Sequence, residues 1–150
     1  MTQDSLVGRT IAGYRLLEHI GEGGTAEVYR ADHPEKGPAA VKILRSRLAQ
    51  DPVAVKRFLR EAEFGRRVAH PNIVGVRDFG QVDDLFYLAL EWIPGEPLAT
   101  FAAKAGTLAP PVVAEIIEQV GRALAAAHAV GIIHRDLKPA NIMYDPASRV

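Results

Sequence analysis

At 150 residues the chain has the length of one ordinary domain with a real core. Its 18 basic and 18 acidic residues cancel, so charge gives no argument for nucleic acid or an anionic membrane as a partner. Cysteine is absent, which excludes disulfides and thiolate metal sites and fits a reducing compartment.

The N-terminus, Met1-Thr2-Gln3-Asp4-Ser5, lacks the basic-then-apolar order of a secretion signal, and residues 1–13 read as an extension. Tyr14 to Ile20 reads as a strand, followed by the glycine turn Gly21-Glu22-Gly23-Gly24-Thr25-Ala26-Glu27-Val28. Glycines let a backbone turn pass close to an anion, where a Cβ would intrude and where N–H groups can donate. Alone the cluster is weak, because glycine-rich hairpins are common. Ala39-Ala40-Val41-Lys42-Ile43-Leu44 is a further strand, whose alternation puts Ala40 and Lys42 on one face and Val41 and Ile43 on the other. A lysine directed inward from an apolar strand needs an anion; the bland alternative is a lysine snorkelling from an edge strand.

Asp51-Pro52 is a helix start, with a side-chain acceptor at N-cap and proline at N1. Val55, Phe58, Leu59 and Ala62 then recur at helical spacing as one apolar stripe. Glu61 lies beside that stripe, whereas Glu63 lies about 200° further round and reads as solvated. Gly65 is an interior glycine that costs roughly 1 kcal/mol of helix stability relative to alanine, which predicts an easily displaced helix.

Leu85 to Gly95 is a continuous apolar strand that ends in a turn. Thr107 to Gly131 gives a long helix: Pro110 and Pro111 fit its first turn, and Val113, Ile116, Ile117, Val120 and Leu124 form a stripe. Gly131 is a natural C-cap. Ile142-Met143-Tyr144 and Arg149-Val150 read as two arms of a hairpin around residues 145–148. No apolar run is long enough to span a bilayer. His19, His33, His70 and His128 show no metal-ligand spacing.

The most specific segment is His134-Arg135-Asp136-Leu137-Lys138-Pro139-Ala140-Asn141. It sets a carboxylate and a carboxamide five residues apart, with a lysine two residues after the carboxylate. Phosphoryl transfer from a nucleotide needs a carboxylate to accept the proton of the attacking hydroxyl. It also needs an oxygen ligand for Mg²⁺ and a cation to neutralise the moving phosphate. The segment resembles the catalytic loop H-R-D-L-x-x-x-N of the eukaryotic-like protein kinases, here of a bacterial serine/threonine type. A polar loop after a helix is the plain alternative, and eight residues in this order are hard to obtain by chance.

The other motifs fall in the order that family requires. The glycine turn resembles G-x-G-x-x-G-x-V, with Ala26 at the third glycine position, and the strand Ala39 to Leu44 resembles the V-A-I-K strand. The resemblance implies an α+β, protein-kinase-like fold: an antiparallel five-stranded small lobe with one main helix over residues 14–93, then the start of a helical lobe over 94–150. It implies Asp136 as catalytic base, with Lys138 and Asn141 beside it, and Asn141 as a Mg²⁺ ligand. ATP would be bound by Ile20, Gly21, Gly23, Gly24, Val28, Ala40, Lys42, Glu61, Leu90, Glu91, Ile93 and Met143. Within that set Lys42 meets the α/β-phosphates and pairs with Glu61, Leu90 is the gatekeeper, and the backbones of Glu91 and Ile93 bond the adenine. Only the position of this strand between the other motifs separates a hinge from a plain buried strand. Arg135 implies a link to activation-loop phosphorylation.

The family's next motif, D-F-G, and the later A-P-E do not occur in the 150 residues. The chain therefore reads as the front part of a longer kinase domain, inactive alone and prone to associate through an undercovered helix. The expected partners are protein substrates bearing serine or threonine and a second kinase copy, with no nucleic acid and no membrane segment within 1–150. The expected location is cytoplasmic. Two other classes compete. A small-molecule phosphotransferase of the aminoglycoside-kinase type shares the Asp-to-Asn spacing, but its loop usually lacks the Arg135 and Lys138 found here. A non-catalytic pseudokinase or scaffold is favoured only by the missing C-terminal part, and a rearranged or degenerate product would not be expected to keep Lys42, Glu61, Asp136, Lys138 and Asn141 together.

Overall fold

Alternation along the strands decides which faces of the first unit become core. The computed structural model describes residues 5–150 and forms two compact units. The first holds the residues up to Arg67 together with Gly75–Trp92; the second holds Val68–Val74 and Ile93–Val150. In the first unit, β1 (Thr10–Ile11), β2 (Tyr14–Glu22), β3 (Ala26–His33), β4 (Gly37–Leu44), β5 (Val76–Val82) and β6 (Leu85–Glu91) build one sheet in the order β1-β2-β3-β4-β6-β5. Every pairing in it is antiparallel.

Cross-strand partners share a face, so the register sorts the side chains. Tyr29, Val41 and Ala89 are paired across β3, β4 and β6, and all three are buried in a cluster with Tyr14, Leu16 and Ile43. The opposite face carries Ala26, Leu44 and Leu88, and here α1 (Pro52–Arg67) docks through Phe58 and Ala62. Asp51 caps this helix as its position before Pro52 predicts: Val53 N–H donates to Asp51 Oδ1 at 2.9 Å. Such a cap contributes about 1 kcal/mol. Burying Phe58 contributes about 2–3 kcal/mol, so packing outweighs capping in holding α1 on the sheet.

The sheet has six strands where the sequence predicts five. The extra strand is Thr10–Ile11, within the stretch read as an extension. Ala12 and Gly13 both take positive φ, at 51° and 88°, and fold β1 back so that Ile11 pairs with Tyr14. Ile11 is then 1% exposed, which makes this short strand part of the core.

Gly65 also has a different reason from helix loosening. A Cβ there would meet Val76 Cγ2 at 2.5 Å, so the glycine lets α1 approach β5 closely. Gly65→Ala should therefore lower stability by about 1–2 kcal/mol, because overpacking exceeds the helix-propensity gain. In a Val76→Ala background the same change should instead raise the melting temperature. Thermal unfolding of the four proteins checks this, and a stabilising Gly65→Ala beside an intact Val76 would refute the close-approach account.

The second unit is built from β7 (Glu96–Pro97), α2 (Leu98–Ala105), α3 (Pro110–Ala129) and β8 (Met143–Tyr144). Leu98, Ile116 and Tyr144 are its buried centre, with Phe101, Val112, Val120 and Ile142 packed around them. The buried stripe of α3 is thus Val112, Ile116, Val120 and Ala123, rotated from the predicted one. Val113 and Ile117 are 37% and 65% exposed, because the Leu98–Tyr144 cluster covers only one side of the helix. Gly131 ends α3 as expected: at φ 78° its N–H donates to the His128 carbonyl, while Ile132 N–H reaches back to Ala127.

The hairpin predicted at residues 142–150 does not form. Met143 and Tyr144 pair with Pro97 and Glu96, and residues 145–149 only turn, closed by Asp145 N–H to Val150 O at 2.8 Å. Gly95 permits this pairing, since at φ 110° its backbone passes against the Tyr144 carbonyl where a Cβ would collide. Val68–Val74 is tied into the unit by Asn72 Nδ2, which donates to Gln119 Oε1 of α3 at 2.8 Å. Among the described residues, no helix is long and apolar enough to cross a membrane.

Candidate active site

In the first unit the strand register gathers five of the residues expected to meet a nucleotide: Gly21, Val28, Ala40, Lys42 and Leu90. Gly21 pairs with Val28, Val28 with Lys42 and Lys42 with Leu88, one row across β2, β3, β4 and β6. Ala40 pairs with Leu90 two positions along β4, on the same face. Ile20 stands at a bulge of β2 and is 43% exposed.

Lys42 Nζ lies 2.9 Å from Glu61 Oε1. The two side chains are 25% and 59% exposed, and an ion pair so placed contributes only about 0–1 kcal/mol. Stability is therefore a poor reason for the pair; it fixes an ammonium group over the strand row. Glu63 points to solvent, as its angular position predicts.

The glycine turn is held by residues the sequence reading missed. Arg45 donates to the Gly23 carbonyl through Nε at 3.0 Å and Nη2 at 2.9 Å, and Arg47 Nη2 donates to the Gly24 carbonyl at 2.8 Å. Arg45 also pairs with Glu22 at 3.1 Å and with Glu27 at 3.5 Å. Glu27 in turn accepts from the Tyr29 hydroxyl at 2.9 Å. Burial first, and then this bond to Glu27, push the hydroxyl's pKa up to about 12, so it remains a donor across the physiological range. His19, Glu22 and Glu27 converge within 4.8 Å of one another, but both carboxylates already share Arg45 as an ion-pair partner. The β3–β4 register was the available signal: Ala26 opposite Leu44 sets Arg45 beside Thr25.

At the end of β6, Glu91 grips Gly75 twice. Its N–H donates to the Gly75 carbonyl at 2.9 Å, and its Oε1 accepts the Gly75 N–H at 2.8 Å. The side chain of this residue was not singled out in the sequence, where only its backbone carries an expectation.

The loop 134–141 of the second unit brings Asp136, Lys138 and Asn141 together. Lys138 Nζ lies 3.6 Å from Asp136 Oδ2. Asn141 Nδ2 donates to the Asp136 backbone carbonyl at 2.8 Å and approaches its Oδ2 at 3.3 Å. His134 Nδ1 accepts the Asp136 N–H at 3.2 Å, and Arg135 takes the left-handed conformation at φ 68°. Because the Asn141 amide nitrogen is committed to Asp136, its Oδ1 is the atom left for a ligand. A neutral oxygen beside a carboxylate suits a hard cation such as Mg²⁺. Ile93 is half-buried and Met143 is 37% exposed, both in this unit.

Comparison with known proteins bears on the family of the chain. A family model described as "Protein kinase domain" matches residues 14–150. The serine/threonine-protein kinase PknH of Mycobacterium bovis is 40% identical over 142 residues, which is 94% of this chain and 24% of that protein. PrkC of Bacillus subtilis is 42% identical over 142 residues, covering 93% of this chain and 22% of that protein. The chain thus spans about a quarter of the length of these relatives. A crystal structure of the Mycobacterium tuberculosis PknI kinase domain superposes with a TM-score of 0.76 at 34% identity, covering 93% of this chain and 58% of that one. From its motifs, its fold and these relatives, the chain belongs to the protein kinase family.

Proposed function

We propose that this chain serves ATP-dependent phosphoryl transfer to serine and threonine hydroxyls of proteins, as part of a longer kinase. The observation that carries the reading is the loop in which Asp136, Lys138 and Asn141 converge within one hydrogen-bonded turn. Asp136 accepts the hydroxyl proton of the protein substrate, and Lys138 keeps a positive charge beside that carboxylate. Asn141 offers Oδ1 as a metal ligand. Lys42, steadied by Glu61, presents its ammonium to phosphate oxygens, and the row Gly21, Val28, Ala40, Leu90 gives the nucleotide an apolar seat. Since the Glu91 N–H is occupied by Gly75, Glu91 meets the adenine through its carbonyl, with the Ile93 backbone as the second contact. Magnesium-bound ATP supplies the phosphoryl group with much of its charge neutralised.

Phosphoamino-acid analysis of the intact protein's products, with radiolabelled ATP and mixed peptide and aminoglycoside acceptors, tests the reading. Label on phosphoserine and phosphothreonine is expected. Label confined to the aminoglycoside, or no Mg²⁺-dependent label at all, would overturn it in favour of a small-molecule phosphotransferase or a non-catalytic binding module.

A further inference from the structure

Three successive carbonyls of the glycine turn are turned toward one short segment. The Gly23 carbonyl accepts from the Arg45 guanidinium, the Gly24 carbonyl from Arg47, and the Thr25 carbonyl from the Arg45 backbone N–H at 2.9 Å. In a trans peptide the carbonyl of one residue and the N–H of the next point in opposite directions, and no peptide here is cis. Fixing the Gly23 and Gly24 carbonyls therefore aims the N–H groups of Gly24 and Thr25 away from both arginines. Among the described residues, neither N–H has a protein acceptor. A Cβ at Gly24 would meet nothing within 4 Å, so sterics alone do not hold the turn in this form.

We infer that Arg45 and Arg47 are positioning residues, which orient the Gly24 and Thr25 N–H groups as donors for the phosphates of the nucleotide. The inference rests on the ATP reading above and adds how the turn is made ready for its ligand. Glycines that permit many backbone conformations would otherwise have to be ordered at the moment of binding. Arg45 removes that cost in advance. Its side chain is only 15% exposed, and it is itself fixed by Glu22 and Glu27. Lysine could not replace it, since a single ammonium lacks the planar fork that holds Gly23 and Glu27 together.

Binding of ADP and of adenosine to the intact protein separates this role from a merely structural one, because adenosine carries no phosphate. Arg45→Ala should weaken ADP by about tenfold, the scale of a charge-assisted hydrogen bond, and leave adenosine affinity unchanged. Arg47→Ala, at an exposed position that cannot compromise the core, should weaken ADP by roughly threefold with the same selectivity. Arg45→Lys should recover only part of the loss. Equal weakening of both ligands, or unchanged ADP affinity in the Arg47 variant, would overturn the inference while leaving the kinase reading intact. Failure of the unsubstituted protein to bind either ligand would overturn the nucleotide reading itself.

Discussion

Asp136→Asn should lower kcat by about 10²–10⁴, the range typical of removing a general base. That corresponds to roughly 3–5 kcal/mol of barrier. The substitution keeps the shape of the side chain and removes its capacity to take a proton. The loop should survive it, because the shorter bond from Asn141 Nδ2, at 2.8 Å, goes to the Asp136 backbone carbonyl, and the longer one to Oδ2, at 3.3 Å, needs only an acceptor oxygen that asparagine also carries. Loss of the Lys138 contact costs little, since both side chains are more than half exposed. Nucleotide affinity should hardly change, for the carboxylate serves the hydroxyl acceptor. Steady-state kinetics with a serine peptide, beside ADP titrations, measure both quantities; a variant with near-normal turnover would remove Asp136 from the role of base.

The strands were legible in the sequence wherever alternation is strict. Val41 and Ile43 lie in one core and Lys42 faces the other side, as period-two reading requires. Helix α1 was equally legible, since Asp51, Pro52 and the stripe through Phe58 and Ala62 all agree. What failed was context that local patterns do not carry. Val112 and Val113 are both apolar neighbours on α3, and only the position of Leu98 and Tyr144 decides which is covered. Met143 and Tyr144 have strand character, but their partner is Glu96–Pro97, nearly fifty residues earlier in the chain, and not the adjacent Arg149-Val150. Strand β1 is two residues long, too short for a period to show, although Gly8 and Gly13 bracket it. Of the site, the motif residues could be named because the chemistry restricts their type. Arg45, Arg47 and the Glu91 side chain escaped notice because each holds a backbone atom whose position depends on register.

Removing either Lys42 or Glu61 should impair catalysis strongly, and removing both should cost far less than the sum. Lys42→Met takes away the cation that meets phosphate and should lower kcat/KM by about a hundredfold or more, close to 3 kcal/mol. Glu61→Gln leaves the ammonium but releases it from the 2.9 Å contact that fixes its place. If the two act as a unit, the Lys42→Met/Glu61→Gln double variant should be no more than about tenfold worse than Lys42→Met alone. Stability gives an independent control. The pair is partly exposed, so each variant should unfold within about 1 kcal/mol of the parent protein. Large kinetic losses with small changes in melting temperature would then belong to positioning and not to folding. Glu63→Gln, on the solvated side of the same helix, should leave kcat/KM unchanged. Additive losses in the double variant would mean that Lys42 and Glu61 act separately, and an effect at Glu63 would reassign the partner of Lys42.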